Sequence, residues 1–254
     1  MVQKNNLFIV PQPRQKPELR LFCLPFAGGS AYAYQGWQQH VGPEVELVLV
    51  QLKGRGARID EMPHQDMHSL VDELMAYSAY LTQCPYLLFG HSMGALSCYA
   101  LCCELYKQHK TLPVHMIASG CRAPHQAYQQ RTLHALPQKE FFYELAQLSG
   151  TPQEVLANKE LMELFEPLLR ADFRIAETYQ AEPLKMPFAL SVLYGDHDHS
   201  VTISQLNAWQ ELSSKGCTLT QMPGDHFFIR QSANQVLSYI QSLLHEFTRT
   251  RPGL

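Results

Sequence analysis

The sequence predicts an α/β fold with one mostly parallel, doubly wound sheet covered by helices on both faces. Short apolar runs rich in β-branched residues alternate with longer segments of helical periodicity, as in parallel strands joined by helical crossovers. Hydrophobic residues make up 46% of the chain and charged residues 17%, which supplies a substantial core. Because three-layer folds of this length, 254 residues, commonly stay undivided, we expect a single domain over residues 1–254.

The alternation of patterns places each strand and helix in order. The predicted strands are Arg20–Leu24, Val45–Gln51, Tyr86–Gly90, Val114–Ser119, Ala189–Tyr194 and Thr218–Met222. The predicted helices lie near Ala31–His40, Asp66–Thr82, Met93–Gln108, Val201–Glu211 and Gln231–Phe247. Residues 1–18 and the tail from Thr248 lack a comparable pattern, so we expect poorly anchored termini.

The alternation stops between Ser119 and Pro187. This segment carries helical patterns, for example Lys139–Leu148 and Lys159–Arg170, but no convincing strand. Ligands bind at the carboxyl edge of such a sheet, so an all-helical insertion at one crossover is expected to lie above that edge. We predict a helical lid over about residues 122–186 that shapes the substrate pocket. The alternative is that these helices pack as an ordinary crossover.

Charge and cysteine content exclude several classes of protein. Twenty Lys and Arg stand against 23 Asp and Glu, and a net charge of -3 gives no electrostatic case for nucleic acid or an anionic membrane. The apolar stretch Leu7–Val10 is too short for a signal peptide, and no run approaches a membrane span. The seven cysteines are odd in number, which favours reduced packing residues. We expect a cytoplasmic location.

The pentapeptide Gly90-His91-Ser92-Met93-Gly94 carries the first chemical signal. It matches Gly-x-Ser-x-Gly and lies between an apolar strand and an apolar helical run, the context in which this motif forms the nucleophile elbow of an α/β-hydrolase fold. The glycines allow the sharp turn that exposes the serine. We predict that Ser92 is the catalytic nucleophile of an enzyme, rather than part of a flexible turn.

A serine hydroxyl needs a base to take its proton and an acid to orient that base. In this fold the acid and then the histidine follow the serine along the chain. Asp198, three residues beyond Gly195 at the end of a strand, is the predicted acid. Asp196 is the alternative candidate, although an aspartate at its position can also serve only to form the turn. His226 follows the last strand and is the predicted general base.

Two further histidines, His197 and His199, flank Asp198 and raise the question of a metal site. Zinc requires three or four converging ligands, and no second His/Cys pair at suitable spacing follows in the sequence. We therefore expect no metal and no cofactor, and interpret these histidines as a polar rim.

The tetrahedral intermediate of acyl transfer needs two N–H donors for its oxyanion. Met93 begins the helix after Ser92, so its N–H is the predicted first donor. The second is expected from the loop after the first predicted strand, where we nominate Ala27 and then Phe26. A Gly-rich helix entry with no ligand role is the alternative, and no Gly-Lys-Ser/Thr completes a phosphate-binding loop.

Five motifs in order resemble those of the type II thioesterases, the editing enzymes of nonribosomal peptide and polyketide synthesis. The resemblance runs from about Leu21 to Ile240, and one departure is Lys53, where the family usually has proline. The motifs are Pro25-Phe26-Ala27-Gly28-Gly29-Ser30, Lys53-Gly54-Arg55-Gly56-Ala57-Arg58 leading to Glu61, Gly90-His91-Ser92-Met93-Gly94, Gly195-Asp196-His197-Asp198 and Gly224-Asp225-His226-Phe227.

The resemblance implies hydrolysis of aberrant or short acyl groups from the phosphopantetheine arm of an acyl or peptidyl carrier protein. It implies an acyl-Ser92 intermediate, and we expect a monomer. Medium-chain fatty acyl thioesterases share these motifs, and a carboxylesterase or lipase would use the same triad. An acyltransferase and a non-catalytic binding module are further alternatives. Arg55 and Arg58 are expected either to pair with Glu61 or neighbouring acids on a solvated surface, or to contact the carrier.

Overall fold

A computed structural model of the chain describes residues 6–148, 150 and 156–249. The strands of this described part are β1 Phe8–Ile9, β2 Leu19–Leu24, β3 Val45–Val50, β4 Tyr86–His91, β5 His115–Ser119, β6 Ala189–Gly195 and β7 Cys217–Met222. They form one central sheet in the order β1-β3-β2-β4-β5-β6-β7, in which all neighbours are parallel except β1 and β3. The predicted mostly parallel, doubly wound sheet is therefore confirmed.

Helices follow the strands in the described part of the chain. The α-helices are α1 Met67–Met75, α2 Ser78–Leu81, α3 Met93–Lys107, α4 Gln138–Gln147, α5 Lys159–Thr178, α6 Ile203–Asn207, α7 Phe228–Gln231 and α8 Ala233–Arg249. Three further segments are 3-10 helices, namely Ala31–His40, Gly56–Arg58 and Ala208–Leu212.

The sheet is apolar on both faces because helices cover both. Alternate residues of β2 illustrate this: Phe22 and Leu24 pack in the cluster with α1 and α3, whereas Leu21 and Cys23 pack with the Ala31–His40 helix and α8. All residues of β2, β3, β4 and β5 are buried, as expected for central parallel strands. Because these strands are parallel, their carboxyl ends lie at the same edge of the sheet.

The prediction that the start of the chain is poorly anchored is wrong for the described part of that segment. Phe8 and Ile9 add an antiparallel edge strand to β3, and Leu7 is buried beneath it. The ring of Phe8 packs against those of Phe22 and Tyr80, with centroids 5.9 and 5.0 Å apart. A two-residue strand has too few positions to show a period-two pattern, which explains why the sequence did not reveal it.

Two predicted helices are divided in the structure. The segment predicted as Asp66–Thr82 contains α1 and α2, and that predicted as Val201–Glu211 contains α6 followed by the Ala208–Leu212 3-10 helix. At the other end of the chain, α8 continues through Thr248 to Arg249, and residues 250–254 lie outside the described residues. All seven cysteines are free thiols, consistent with packing roles.

The described residues between β5 and β6 contain the helices α4 and α5 and no strand, as their sequence predicts. Helix α4 agrees with the predicted Lys139–Leu148, and α5 extends beyond the predicted Arg170 to Thr178. The two helices share an apolar cluster formed by Leu133, Phe141, Leu145, Met162 and Leu169. Throughout residues 6–148, 150 and 156–249, every helix is too short or too polar to cross a membrane.

Candidate active site

Ser92 occupies a sharp turn between β4 and α3. Its backbone has φ 53° and ψ −118°, a left-handed conformation that costs a non-glycine residue energy. The turn also needs glycine on each side. A Cβ on Gly90 would lie 2.2 Å from Gly94 O, and one on Gly94 would lie 2.3 Å from Leu24 O. The sequence thus forms a strained elbow at the carboxyl edge of the sheet.

Asp198 and His226 lie on two neighbouring loops, after β6 and β7, and are joined by a hydrogen bond. His226 Nδ1 lies 2.9 Å from Asp198 Oδ2, while Asp198 Oδ1 accepts from Ser200 N at 2.9 Å and Ser200 Oγ at 2.6 Å. Since a carboxylate only accepts, Nδ1 is assigned the proton. That assignment leaves the His226 Nε2 lone pair available to a neighbouring hydroxyl.

The carboxylate of Asp198 is buried yet charged. Burial alone would raise its pKa, but the hydrogen bond and charge of His226 and the donors of Ser200 outweigh burial and lower the pKa below its usual value. Asp198 is 8% exposed, so its charge acts on His226 with little screening by water.

Asp196, the competing acid, is exposed and engaged elsewhere. Its Oδ1 accepts from Gly224 N at 2.8 Å and lies 2.6 Å from His197 Nδ1. The hydrogen bond from Gly224, followed by that from His197, lowers the pKa of Asp196. The carboxylate therefore ties the β6 loop to the β7 loop, a structural role that extends beyond the local turn-forming role expected from the sequence.

One cavity of about 810 Å³ brings the predicted site residues together. Its volume lies within the range common for small-molecule sites. Its apolar wall comes largely from the segment between β5 and β6, including Leu145, Met162, Leu169 and Phe173. The predicted site residues that line it are Ser92, Asp198, His226, Met93 and Ala27.

The two predicted oxyanion donors approach the cavity from different elements. Met93 is the first residue of α3, where backbone N–H groups have no partner within the helix. Ala27 lies in the loop after β2, here called the oxyanion loop and defined as residues 26–30, and it lines the same cavity. In this loop Gly29 N donates to Phe26 O at 2.8 Å, and Gly28 N donates to Asp172 Oδ2 at 2.7 Å.

His91, which precedes the elbow serine, was not singled out from the sequence as part of the site. It is fully buried, its Nδ1 lies 2.9 Å from Ser119 Oγ, and its ring centroid lies 5.0 Å from that of His226. Burial first, and then the charge of His226, hold the pKa of His91 well below its usual value. His91 is therefore an uncharged platform beside the His226 ring, which only three-dimensional proximity reveals.

Arg55 and Arg58 contradict the expectation of a solvated or carrier-contacting surface, because they are 3% and 6% exposed. Arg58 does pair with Glu61, as predicted, and also with Glu73. Burial alone would raise the pKa of Glu73, but hydrogen bonds from His64 and Arg58 lower it to about 2. Arg55 pairs with Asp172 of α5, 117 positions away, a contact that sequence reasoning could not supply.

The flanking histidines do not converge on a common ligand position. His197 instead contacts Asp196. Among the residues that the structure describes, no three His, Cys, Asp or Glu side chains are grouped so that they could hold a metal ion.

Comparison with known proteins places this architecture among its relatives. A family model described as "Thioesterase domain" matches residues 19–244. The gramicidin S biosynthesis protein GrsT of Aneurinibacillus migulanus is 34% identical over 241 residues, which cover 94% of this chain and 93% of GrsT. The medium-chain S-acyl fatty acid synthase thioesterase of Rattus norvegicus is 28% identical over 240 residues, covering 91% of this chain and 90% of the relative.

A solved structure extends the likeness to three dimensions. YbtT, a type II thioesterase from the yersiniabactin NRPS/PKS biosynthetic pathway, superposes with a TM-score of 0.82 at 32% sequence identity. The match covers 95% of this chain and 99% of YbtT.

Proposed function

This chain belongs to the thioesterase domain family, and from that membership we propose that it is a type II thioesterase of nonribosomal peptide or polyketide synthesis. Its substrates are aberrant or short acyl groups held as thioesters on the phosphopantetheine arm of a carrier protein. The observation that carries the proposal is the His226–Asp198 hydrogen bond beside the Ser92 elbow, within one cavity. The similarity to GrsT and YbtT over nearly the whole chain supports the carrier-bound substrate.

In the proposed acylation step, Ser92 Oγ attacks the thioester carbonyl while His226 Nε2 takes its proton. The carbonyl π electrons move to the oxygen, and the N–H groups of Met93 and Ala27 stabilise that oxyanion. As the carbonyl re-forms, the C–S bond breaks and His226 donates the proton to the departing thiolate. Asp198 holds the imidazole in the tautomer that this exchange requires.

Deacylation repeats the same proton transfers with water. His226 removes a proton from a water molecule that attacks the acyl-Ser92 ester, and the free acid leaves as Ser92 Oγ regains a proton from His226. The low pKa of Asp198 supports this role, since its carboxylate stays charged and stabilises the imidazolium formed in both steps.

We also propose that residues 1–254 form one domain in which about residues 122–186 serve as a lid over the acyl pocket. The apolar side chains that α4 and α5 contribute to the cavity support this proposal. A monomer suffices for the mechanism, because every residue assigned a step lies on one chain.

A panel of acylated carrier proteins tests the proposal. Each acyl group is offered as a carrier-bound thioester and as a matched oxygen ester, and Ser92→Ala serves as the inactive control. We expect turnover of the carrier-bound thioesters, with acetyl and other short groups among the good substrates. A marked preference for oxygen esters would contradict the thioesterase proposal, and a preference for medium-chain fatty acyl groups would favour the fatty acid alternative.

A further inference from the structure

An acidic side chain of the segment between β5 and β6 accepts a hydrogen bond from the backbone of the oxyanion loop. Asp172 lies on α5 and is 1% exposed, and its Oδ2 accepts a hydrogen bond from the backbone N–H of Gly28 at 2.7 Å. Gly28 follows Ala27, the proposed second oxyanion donor. The orientation of the peptide units around Ala27 therefore depends on an acid 144 positions later in the chain.

Arg55 binds both the Asp172 carboxylate and the oxyanion loop. Its Nη1 donates to Asp172 Oδ2 and its Nη2 to Asp172 Oδ1, both at 2.7 Å, while Nη1 also donates to Gly29 O at 2.9 Å. This is the paired geometry in which a planar guanidinium binds a carboxylate most specifically. The Arg55–Asp172 pair thus forms hydrogen bonds with the N–H of Gly28 and with the C=O of Gly29 at the same time.

Close packing reinforces these bonds along one turn of α5. Gly28 has φ +73°, and a Cβ there would lie 2.6 Å from Leu169 Cδ2. Gly54, beside Arg55, has φ +78°, and a Cβ there would lie 3.2 Å from Leu168 Cδ1. Both glycines have positive φ values and lie close to side chains of α5. The loop after β2, the loop after β3 and this turn of α5 therefore pack tightly against one another.

We propose that Asp172 and Arg55 are positioning residues for the oxyanion hole. By engaging the N–H of Gly28 and the C=O of Gly29, they fix the neighbouring peptide units and leave the N–H of Ala27 as the donor that the loop presents to the substrate. The same turn of α5 carries Leu169, which lines the cavity, so the acyl pocket and the oxyanion hole share one support. This inference rests on the proposed hydrolase function, but not on which ester is the natural substrate.

A purely structural ion pair would hold the fold together without affecting the transition state. The two roles differ in kinetics, because loss of an oxyanion donor lowers kcat and leaves ground-state binding nearly unchanged. They also differ in inhibitor binding. An acyl trifluoromethyl ketone forms an oxyanion adduct with the serine, whereas a thioether of the same chain lacks the carbonyl.

The test compares Asp172→Asn and Arg55→Lys with the matched control Glu46→Gln. Glu46 forms another buried pair with Arg20 at the opposite end of β2 and β3, away from the cavity. Steady-state hydrolysis of an acyl-pantetheine thioester, inhibition by the two analogues and thermal unfolding are measured for each variant. Arg55→Lys keeps the charge and loses the paired geometry, so it reports on the contact if Asp172→Asn fails to fold.

We expect kcat to fall by about 10- to 100-fold in Asp172→Asn and Arg55→Lys, below the loss that follows removal of a whole oxyanion donor. KM and thioether affinity should change less than about threefold, and trifluoromethyl ketone affinity should fall in parallel with kcat. Glu46→Gln should lower the melting temperature while keeping kcat. If both site variants lose stability but keep kcat and ketone affinity, the proposal is overturned.

Failure of the proposed function gives a different result. If the wild-type protein hydrolyses oxygen esters in preference to thioesters, the thioesterase assignment fails, while the ratio between wild-type and variant kcat on the oxygen ester still tests the roles of Asp172 and Arg55.

Discussion

At the scale of single residues, the structure separates two carboxylates that the sequence presents almost identically. Asp196 and Asp198 follow the same strand two positions apart, yet only the second points inward to His226. The interval from Gly195 gives Asp198 enough loop to turn along the sheet edge, which the sequence could indicate. The contribution of Ser200 to that carboxylate depends on loop conformation and could not be inferred from spacing.

Substitution of these two acids tests which one orients His226. We expect Asp198→Asn to lower kcat by roughly 10³–10⁴-fold, because an amide at this position favours the wrong imidazole tautomer. Asp196→Asn keeps an acceptor for Gly224 N and should lower kcat less than about tenfold. The measurement is thioester hydrolysis near neutral pH, and comparable losses in the two variants would contradict the assignment of Asp198.

Buried histidines make stability depend on pH. Burial lowers the pKa of His115 to about 4, so the unfolded chain binds a proton between pH 6.5 and 4 that the folded chain does not. The stabilisation is complete above pH 6.5 and is lost as pH falls through this window, by as much as about 3 kcal/mol. We expect the free energy of unfolding to decline less steeply with falling pH in His115→Gln than in the wild-type protein.

Denaturant unfolding between pH 4 and 7 provides the measurement for this prediction. His68→Gln is the matched control, since the His68 side chain is 88% exposed. His91 contributes in the same direction, so some pH dependence should remain in His115→Gln. An identical decline in His115→Gln and wild type would rule out the assigned role of His115.

At the scale of elements, the strand–turn–helix around Ser92 is the part most fully specified by its sequence. Gly90 and Gly94 are required by contacts that follow from the turn itself, since a Cβ at either position would lie 2.2 or 2.3 Å from a backbone oxygen. The edge strand Phe8–Ile9 shows the opposite case. Its position follows from pairing with β3 and from ring contacts with distant aromatics, neither of which is encoded locally.

Adding one methyl group at the elbow tests this account. In Gly94→Ala the new Cβ meets the carbonyl oxygens of Leu24 and Pro25, at 2.3 and 2.8 Å, so α3 must shift away from the loop after β2. We expect a loss of more than about 2 kcal/mol of stability together with a large loss of activity. Gly36→Ala is the control, because a Cβ on Gly36 would have no neighbouring atom within 4 Å. A stable, active Gly94→Ala protein would contradict the geometry.

A substitution in the edge strand β1 tests whether Phe8 anchors this segment. Phe8→Ala removes ring contacts with Phe22, Tyr77 and Tyr80 and should lower the free energy of unfolding by about 2 kcal/mol. The control is Tyr32→Ala, whose side chain is 56% exposed and should change stability little. Equal melting temperatures for Phe8→Ala and wild type would show that this segment is not anchored.

At the scale of the whole molecule, the mostly parallel sheet and the meeting of the site residues at its carboxyl edge follow from patterns that the sequence displays, whereas the order of the strands does not. Three loops, after β4, β6 and β7, bring Ser92, Asp198 and His226 to one place because parallel strands end together. The buried ion pair between Arg55 and Asp172 cannot be predicted from the sequence, since long-range ion pairs leave no periodic signal. Packing between α5 and the loops decides it.

The central claim is that Ser92 accepts the acyl group from a carrier-bound thioester. Rapid quenching of a stoichiometric mixture with acylated carrier protein, followed by peptide mass spectrometry, tests it directly. We predict a transient mass increase equal to the acyl group on the peptide containing Ser92, then free acid and unacylated carrier. Ser92→Ala should show neither the adduct nor release of the acid. Undiminished hydrolysis by Ser92→Ala, or an adduct on another residue, would contradict the account.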